Sequence, residues 1–166
     1  NYETNDQNNS KLSLKGEYLK DKFLDFKKIQ FKNGSDLFSL NNLKLTKNFK
    51  ISDIKSASFN FTDKENKKNI LDIINNKSNY VISGKIYNAS KLIDNLIFED
   101  SKNNEIFNKD FNLQVNLDEV YLHKDHVIYD LKGNLSFQNN KIVSANISSN
   151  FNKDEKVNFT IISNNE

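Results

Sequence analysis

Apolar and polar residues alternate along most of the chain, and a period of two is typical of β-strands that bury one face. The alternation is clearest in the last third, where Phe111, Leu113, Val115 and Leu117 are each separated by one polar residue. Similar runs recur between short polar segments from residue 12 to residue 162. The pattern therefore predicts about ten strands joined by short turns.

Turns and changes of parity divide this pattern. Asn33-Gly34 predicts a tight hairpin because both residue types tolerate a positive φ. Polar segments at residues 62–68 and 75–78 predict two further turns. The apolar positions change parity near residues 27–28 and 118–119, and each change predicts a β-bulge.

Two segments allow a helical interpretation. Residues 69–75 fit a helix or a strand, and a strand is favoured because residues 75–78 then form a hairpin. Residues 89–97 follow Asn88, which can act as an N-cap. One helical face of this segment would carry Leu92, Ile93, Leu96 and Ile97. The predicted fold class is mostly β: a long curved antiparallel meander, groove-like, with one short helix at 89–97.

The predicted meander has one apolar face that has to be covered. One helix cannot cover ten strands, which leaves a barrel, a sandwich, or a curved sheet whose apolar inside faces lipid. The repeated bulges favour the curved sheet, and the absence of Pro and Trp counts against a sandwich. Residues 1–10 are expected to be a polar tail and residues 11–166 a single segment.

Composition narrows the function. The chain of 166 residues has no Cys, so it forms no disulfide and no thiolate site. The net charge of +2 is too small for a nucleic-acid surface, and no apolar run is long enough for a transmembrane helix. Thirteen Phe and six Tyr nevertheless indicate an ordered chain.

No catalytic motif is recognisable, and we predict neither an enzyme nor a bound cofactor. His123 and His126 have the spacing of a metal-ligand pair, but on a strand or turn they are expected to point to opposite faces, so we predict no metal site. The acidic residues Asp53, Asp63, Glu65 and Asp72 show no pairing typical of a glycosidase.

Two ordered blocks carry a family resemblance. In residues 80–93 a strand ends in Ser-Gly at Gly84 and is followed by Tyr87 and Asn88 and then by the predicted helix. In residues 111–137 a polar-apolar break at 118–120 precedes the Leu-x-Gly-x-Leu pattern of 131–135. This order resembles the AsmA-like family of bacterial envelope proteins, in the branch of the YhdP and TamB proteins. Asn88 stands where that family usually has Asp.

The resemblance implies a segment of a periplasmic lipid-transfer bridge, anchored to the inner membrane through a part absent from this chain. Its groove would conduct phospholipids between inner and outer membranes. The expected partners are phospholipid acyl chains, neighbouring segments of the same long chain, and inner- and outer-membrane proteins, without nucleic acid. By parity, the groove lining is predicted to comprise Phe111, Leu113, Val115, Leu117, Leu135, Phe137, Val157, Phe159 and Ile161.

A structural or adhesin-like surface β-domain with no transport role is the alternative. The two hypotheses differ in the apolar face: a groove offers a continuous open apolar track, whereas an adhesin has a closed core.

Overall fold

The computed structural model describes residues 10–19, 23–77, 79–91, 110–123, 126–138, 141–152 and 155–162. Most of these residues lie in eleven strands of one open sheet. The strands are β1 (Ser10–Leu19), β2 (Phe23–Asn33), β3 (Asp36–Thr46), β4 (Ile51–Asp53), β5 (Ser56–Thr62), β6 (Lys68–Asn76), β7 (Asn79–Asn88), β8 (Phe111–His123), β9 (His126–Gln138), β10 (Lys141–Asn152) and β11 (Glu155–Ile162).

Strand order follows the chain, from β1 at one edge to β11 at the other. The short β4 pairs only with β3, at Lys44 and Leu45. On the same edge of β3, residues 37–41 pair with β5. All neighbouring pairs are antiparallel except β7 and β8, which are parallel. The prediction of a mostly β, open, largely antiparallel sheet is thus confirmed. The prediction of an antiparallel meander is wrong at β7–β8, because these two consecutive strands are parallel, and parallel neighbours cannot be joined by a hairpin.

The cap predicted for the helix is present. Asn88 Oδ1 accepts hydrogen bonds from the Ser90 amide at 3.1 Å and from Ser90 Oγ at 2.7 Å, as an N-cap side chain does. Ser90 and Lys91 have helical backbone geometry, whereas residues 92–97 of the predicted helix lie outside the described residues. The same holds for residues 1–9 of the predicted polar tail, while Ser10 is the first residue of β1.

The bulge predicted near residues 27–28 is confirmed. Lys15 pairs with Lys28 but Gly16 pairs with Phe26, so Lys27 is an extra residue in β2. On the other side of β2, Asn42 in β3 lies opposite Lys27 and has a φ of 49°. The matched irregularities keep Phe26 and Ile29 on the same side of the sheet, against one hydrophobic cluster.

The change of parity near residues 118–119 is also present, in a different form from a single-strand bulge. Leu117 and Val120 are both buried in one cluster, so β8 does switch parity between them. The β8–β9 register nevertheless continues unshifted, because β9 has a matching irregularity at Asp130, whose φ is 51°. As a result Ile128 lies in the cluster and Tyr129, which the alternation had placed with Leu131, is exposed.

The predicted turns lie where the sequence indicated. Gly34 and Ser35 form the two-residue loop between β2 and β3, with Gly34 at a φ of 57°. Residues 63–67 connect β5 to β6. The ambiguous segment 69–75 is part of β6, which forms a hairpin with β7 through Lys77, at a φ of 55°.

The described part of the chain forms a single layer. Every strand pair with extensive contacts is a pair of sheet neighbours, so no described strand packs face to face on another. Burial instead comes from side chains packed sideways in two clusters. One is centred on Leu43, Ile54, Ala57 and Tyr80, and the other on Ala89, Leu117, Val120 and Ile128.

Candidate functional site: the apolar face

The most regular feature of the sheet is an apolar row that crosses it from edge to edge. Residues directly opposite in register share a face, so the pairing defines the row without reference to side-chain rotamers. Ten residues, one from each strand other than β4, form the row. They are Leu14, Ile29, Leu40, Ala57, Ile73, Ile82, Val115, Gly133, Ile147 and Phe159. None of them carries a polar side chain.

The row one residue away, on the opposite face, is entirely polar. Its members are Ser13, Gln30, Ser39, Ser58, Asp72, Ser83, Asn116, Lys132, Ser148 and Asn158. Some of them bond across strands, such as Ser58 Oγ, which donates to Asp72 Oδ1 at 2.6 Å. The two rows together make the sheet amphipathic over its whole width.

Aromatic rings reinforce the apolar face on both sides of its middle. Phe38 contacts Phe31, Phe59 and Phe61, with ring centroids 6.1, 5.7 and 5.0 Å apart. On β7 to β9, Phe111 lies edge-on to Tyr80 at 5.5 Å and stacks on Phe137 at 4.5 Å. Such pairs contribute about 0.5–1.5 kcal/mol beyond their buried area, so the rings also tie neighbouring strands together.

The nine residues predicted to line the groove all lie on this apolar face. Four register contacts show this for β8 and β9: Phe111 opposite Phe137, Leu113 opposite Leu135, Val115 opposite Gly133, and Leu117 opposite Leu131. On β10, Ala145 and Ile147 extend the face to Ile161 and Phe159 of β11. Val157 lies on the same face because it is two residues from Phe159 on the same strand.

The predicted list covered only the last third of the chain. Residues of β1 to β7, such as Phe31, Phe59, Leu71 and Ile82, belong to the same face. Their period-two alternation was visible in the sequence. Only the pairing of β7 with β8 joins the two halves of the sheet, and no local pattern indicates that contact.

Exposure of the apolar face increases toward β11. Most of the row is half-buried, but its last member, Phe159, is 53 % exposed, and Val157 on the same strand is 46 % exposed. Both lie in the edge strand, which has a neighbour on one side only. Within the described residues, no second layer covers these side chains.

The two histidines do not lie as expected. His123 pairs directly with His126 across the β8–β9 hairpin, so they share a face, and the expectation of opposite faces is wrong. The reason is that the chain reverses between them. In the part of the chain that is described, no group of three or more His, Asp or Glu residues could hold a metal ion.

The carboxylate of Asp63 organises the turn between β5 and β6. Oδ1 accepts hydrogen bonds from the Glu65 and Lys67 amides, both at 2.9 Å. Oδ2 accepts from Asn69 at 3.2 Å and from Asn88 at 2.7 Å. Burial by itself would raise the pKa of Asp63, but these hydrogen bonds outweigh it and lower the pKa below the usual 3.8.

This arrangement is structural. Asn69 is 1 % exposed and its Oδ1 accepts the Asn88 amide at 2.8 Å, so Asp63, Asn69 and Asn88 hold the end of β7 against the turn. The Glu65 carboxylate belongs to the same network, because its Oε2 accepts a hydrogen bond from Asn88 Nδ2 at 3.1 Å.

Comparison with known proteins gives no neighbour: no protein-family model, no curated protein and no solved structure matches the chain. Among the described residues, no helix is long and apolar enough to cross a membrane.

Proposed function

We propose that the chain is a segment of a lipid-transfer bridge, and that its apolar face holds phospholipid acyl chains. The observation that carries the proposal is the unbroken row from Leu14 on β1 to Phe159 on β11. At about 4.8 Å per strand, nine steps span about 43 Å. The hydrocarbon core of a bilayer, which is two acyl chains thick, measures about 30 Å.

The chemistry of the row suits a sliding ligand. Each CH₂ group removed from water contributes about 0.8 kcal/mol, so an acyl chain gains affinity from length alone. Because the row has no polar side chain, nothing along it favours one position of the acyl chain over another. The polar row on the opposite face remains in water.

The resemblance to the AsmA-like family supports the same function. The resemblance rests on the blocks at residues 80–93 and 111–137. It implies that the protein is located in the periplasm. Neighbouring segments of the same long chain would then continue the sheet at β1 and β11.

Photo-cross-linking in cells tests the proposal. A photoreactive amino acid is placed at Val115 on the apolar face or, as the matched control, at adjacent Asn116 on the polar face. After irradiation, the masses of the adducts are measured. We expect phospholipid adducts at position 115 and none at position 116. Protein adducts alone at position 115 would favour the structural or adhesin-like domain and would exclude the lipid track.

A further inference from the structure

A second feature lies to one side of the apolar row, and no residue of the row lines it. A cavity of about 490 Å³ is formed where β2, β3, β4 and β6 come together. Its lining residues are Asp25, Lys27, Asn42, Lys44, Asp53, Lys55, Asn75 and Lys77. No side chain in this list is apolar.

The backbone irregularities of the sheet account for this concentration of polar side chains. Lys27 is the extra residue of the β2 bulge, and Asn42 opposite it has a φ of 49°. Lys77 is the turn residue at a φ of 55°. Asp25 and Lys44 are a direct cross-strand pair on the face opposite Phe26 and therefore opposite the hydrophobic cluster.

The charge balance of the cavity is strongly asymmetric. Four lysines and two aspartates give a local formal charge of 4 − 2 = +2, which equals the net charge of the entire chain. The rest of the sequence is therefore neutral on balance. Like charges gathered in one concavity repel each other and attract an anion, because the protein wall limits screening by solvent.

Each of the two carboxylates has an engaged oxygen, although Asp25 Oδ1 is buried without a hydrogen-bond partner. Asp25 is 8 % exposed, and its Oδ2 lies 3.4 Å from Lys27 Nζ. Asp53 Oδ1 accepts a hydrogen bond from Asn75 Nδ2 at 2.8 Å. Lys55 and Lys77 are exposed at the cavity and can turn their ammonium groups toward a ligand.

From this geometry we propose that the cavity, the lysine cavity, binds a phosphate group. Ammonium groups on flexible stems bind phosphate as point charges, and the amides of Asn42 and Asn75 line the same space. The phosphate can belong to a soluble ester or to a lipid headgroup, since both present the same anionic oxygens. This proposal does not depend on the apolar face.

The test is a titration of the isotope-labelled 166-residue chain with inorganic phosphate and with glycerol 3-phosphate, followed by NMR. We expect saturable shifts confined to amides around the lysine cavity. The double variant Lys55→Gln with Lys77→Gln should weaken binding about tenfold, which corresponds to about 1.4 kcal/mol. Lys27 is left in place because it pairs with the buried Asp25.

The matched control is Lys132→Gln with Lys141→Gln, which removes the same charge from β9 and β10. This variant should bind phosphate like the wild type. Equal weakening in both double variants, or no saturable shift in the wild type, would overturn the proposal. The source of the phosphate group is identified by sedimentation with phosphatidylglycerol vesicles, with phosphatidylcholine vesicles as the control. Binding to phosphatidylglycerol vesicles that requires Lys55 and Lys77 assigns the site to a lipid headgroup. Binding of soluble phosphate alone assigns the site to a free ester.

Discussion

At the scale of single residues, the sheet depends on a few polar side chains and on close backbone contacts. Asp63 is the clearest polar example, because one carboxylate accepts hydrogen bonds from two backbone amides and two asparagine side chains. Gly84 is the clearest steric example. A Cβ atom there would collide with the carbonyl oxygen of Ile70 and lie 2.8 Å from Leu71 Cδ2.

The lowered pKa of Asp63 predicts an acid-sensitive turn. A carboxyl group whose pKa is lower in the folded state stabilises fully above its unfolded value of 3.8, and this stabilisation is lost as the pH falls through the folded pKa. The protection of the Glu65 and Lys67 amides against hydrogen exchange, relative to an unfolded chain at the same pH, should therefore decrease only below pH 3.8. The variant Asp63→Ala should show this loss of protection already at neutral pH. Slow exchange in that variant would show that the carboxylate does not order the turn.

Replacement of Gly84 by Ala should destabilise the sheet. The added methyl group meets backbone atoms of β6, which cannot rotate away, so β6 and β7 have to separate locally. We expect a loss of about 2–3 kcal/mol in urea unfolding. The neighbouring Ser83→Ala, on the polar face, is the control and should change the stability by less than about 0.5 kcal/mol. Equal stabilities would mean that the β6–β7 contact is looser than described.

At the scale of the elements, irregularities in neighbouring strands are matched. Lys27 lies opposite Asn42, and the break after Leu117 lies opposite Asp130. Each match lets both strands change parity together, so the apolar face continues through the kink. An unmatched change would have moved the apolar side chains of half a strand to the polar face.

The β8–β9 hairpin ends in the cross-strand pair of His123 and His126, and we expect that pair to be inert. Both histidines are exposed and no third ligand lies beside them among the described residues. Replacing both with Ala should change the free energy of unfolding by less than about 0.5 kcal/mol, and adding Zn²⁺ should leave the melting temperature of the wild type unchanged. A zinc-dependent rise that disappears in the double variant would identify a metal site.

At the scale of the whole molecule, the sheet is open, single-layered and amphipathic. Its apolar face is not covered by another described layer, so a charge placed there can remain hydrated until a ligand arrives. A substitution on this face can therefore separate stability from function.

Val115→Asp should fold but should not support lipid transfer. On the uncovered face we expect the free energy of unfolding to fall by only about 1 kcal/mol. An acyl chain lying over the ionised carboxylate would desolvate the charge, which costs several kcal/mol of binding free energy. In cells carrying the full-length protein, folded levels should stay near normal while outer-membrane integrity falls. Asn116→Asp adds the same charge to the polar face and should be silent. Normal integrity with Val115→Asp at normal levels would contradict the lipid track.

The sequence by itself determined the strands, most of their turns and the face on which most of the apolar side chains lie. These features are local: alternation decides which side chains share a face, Asn33-Gly34 supports a positive φ, and a parity change such as that near Lys27 requires an extra residue. For the same reason Phe111 to Leu117 could be assigned to one face before any contact was known. The β-interpretation of residues 69–75 also depended on the adjacent hairpin.

Only the tertiary structure decided how the strands combine. The parallel pairing of β7 with β8, the matched kinks and the facing of His123 and His126 depend on which backbone lies beside which, and the sequence pattern within one strand does not encode its partner. The same is true of the lysine cavity, whose members lie as far apart as Asp25 and Lys77 in the chain. Alternation specifies one face of a strand, but hydrogen-bonded register, formed between distant segments, turns ten such faces into one continuous row.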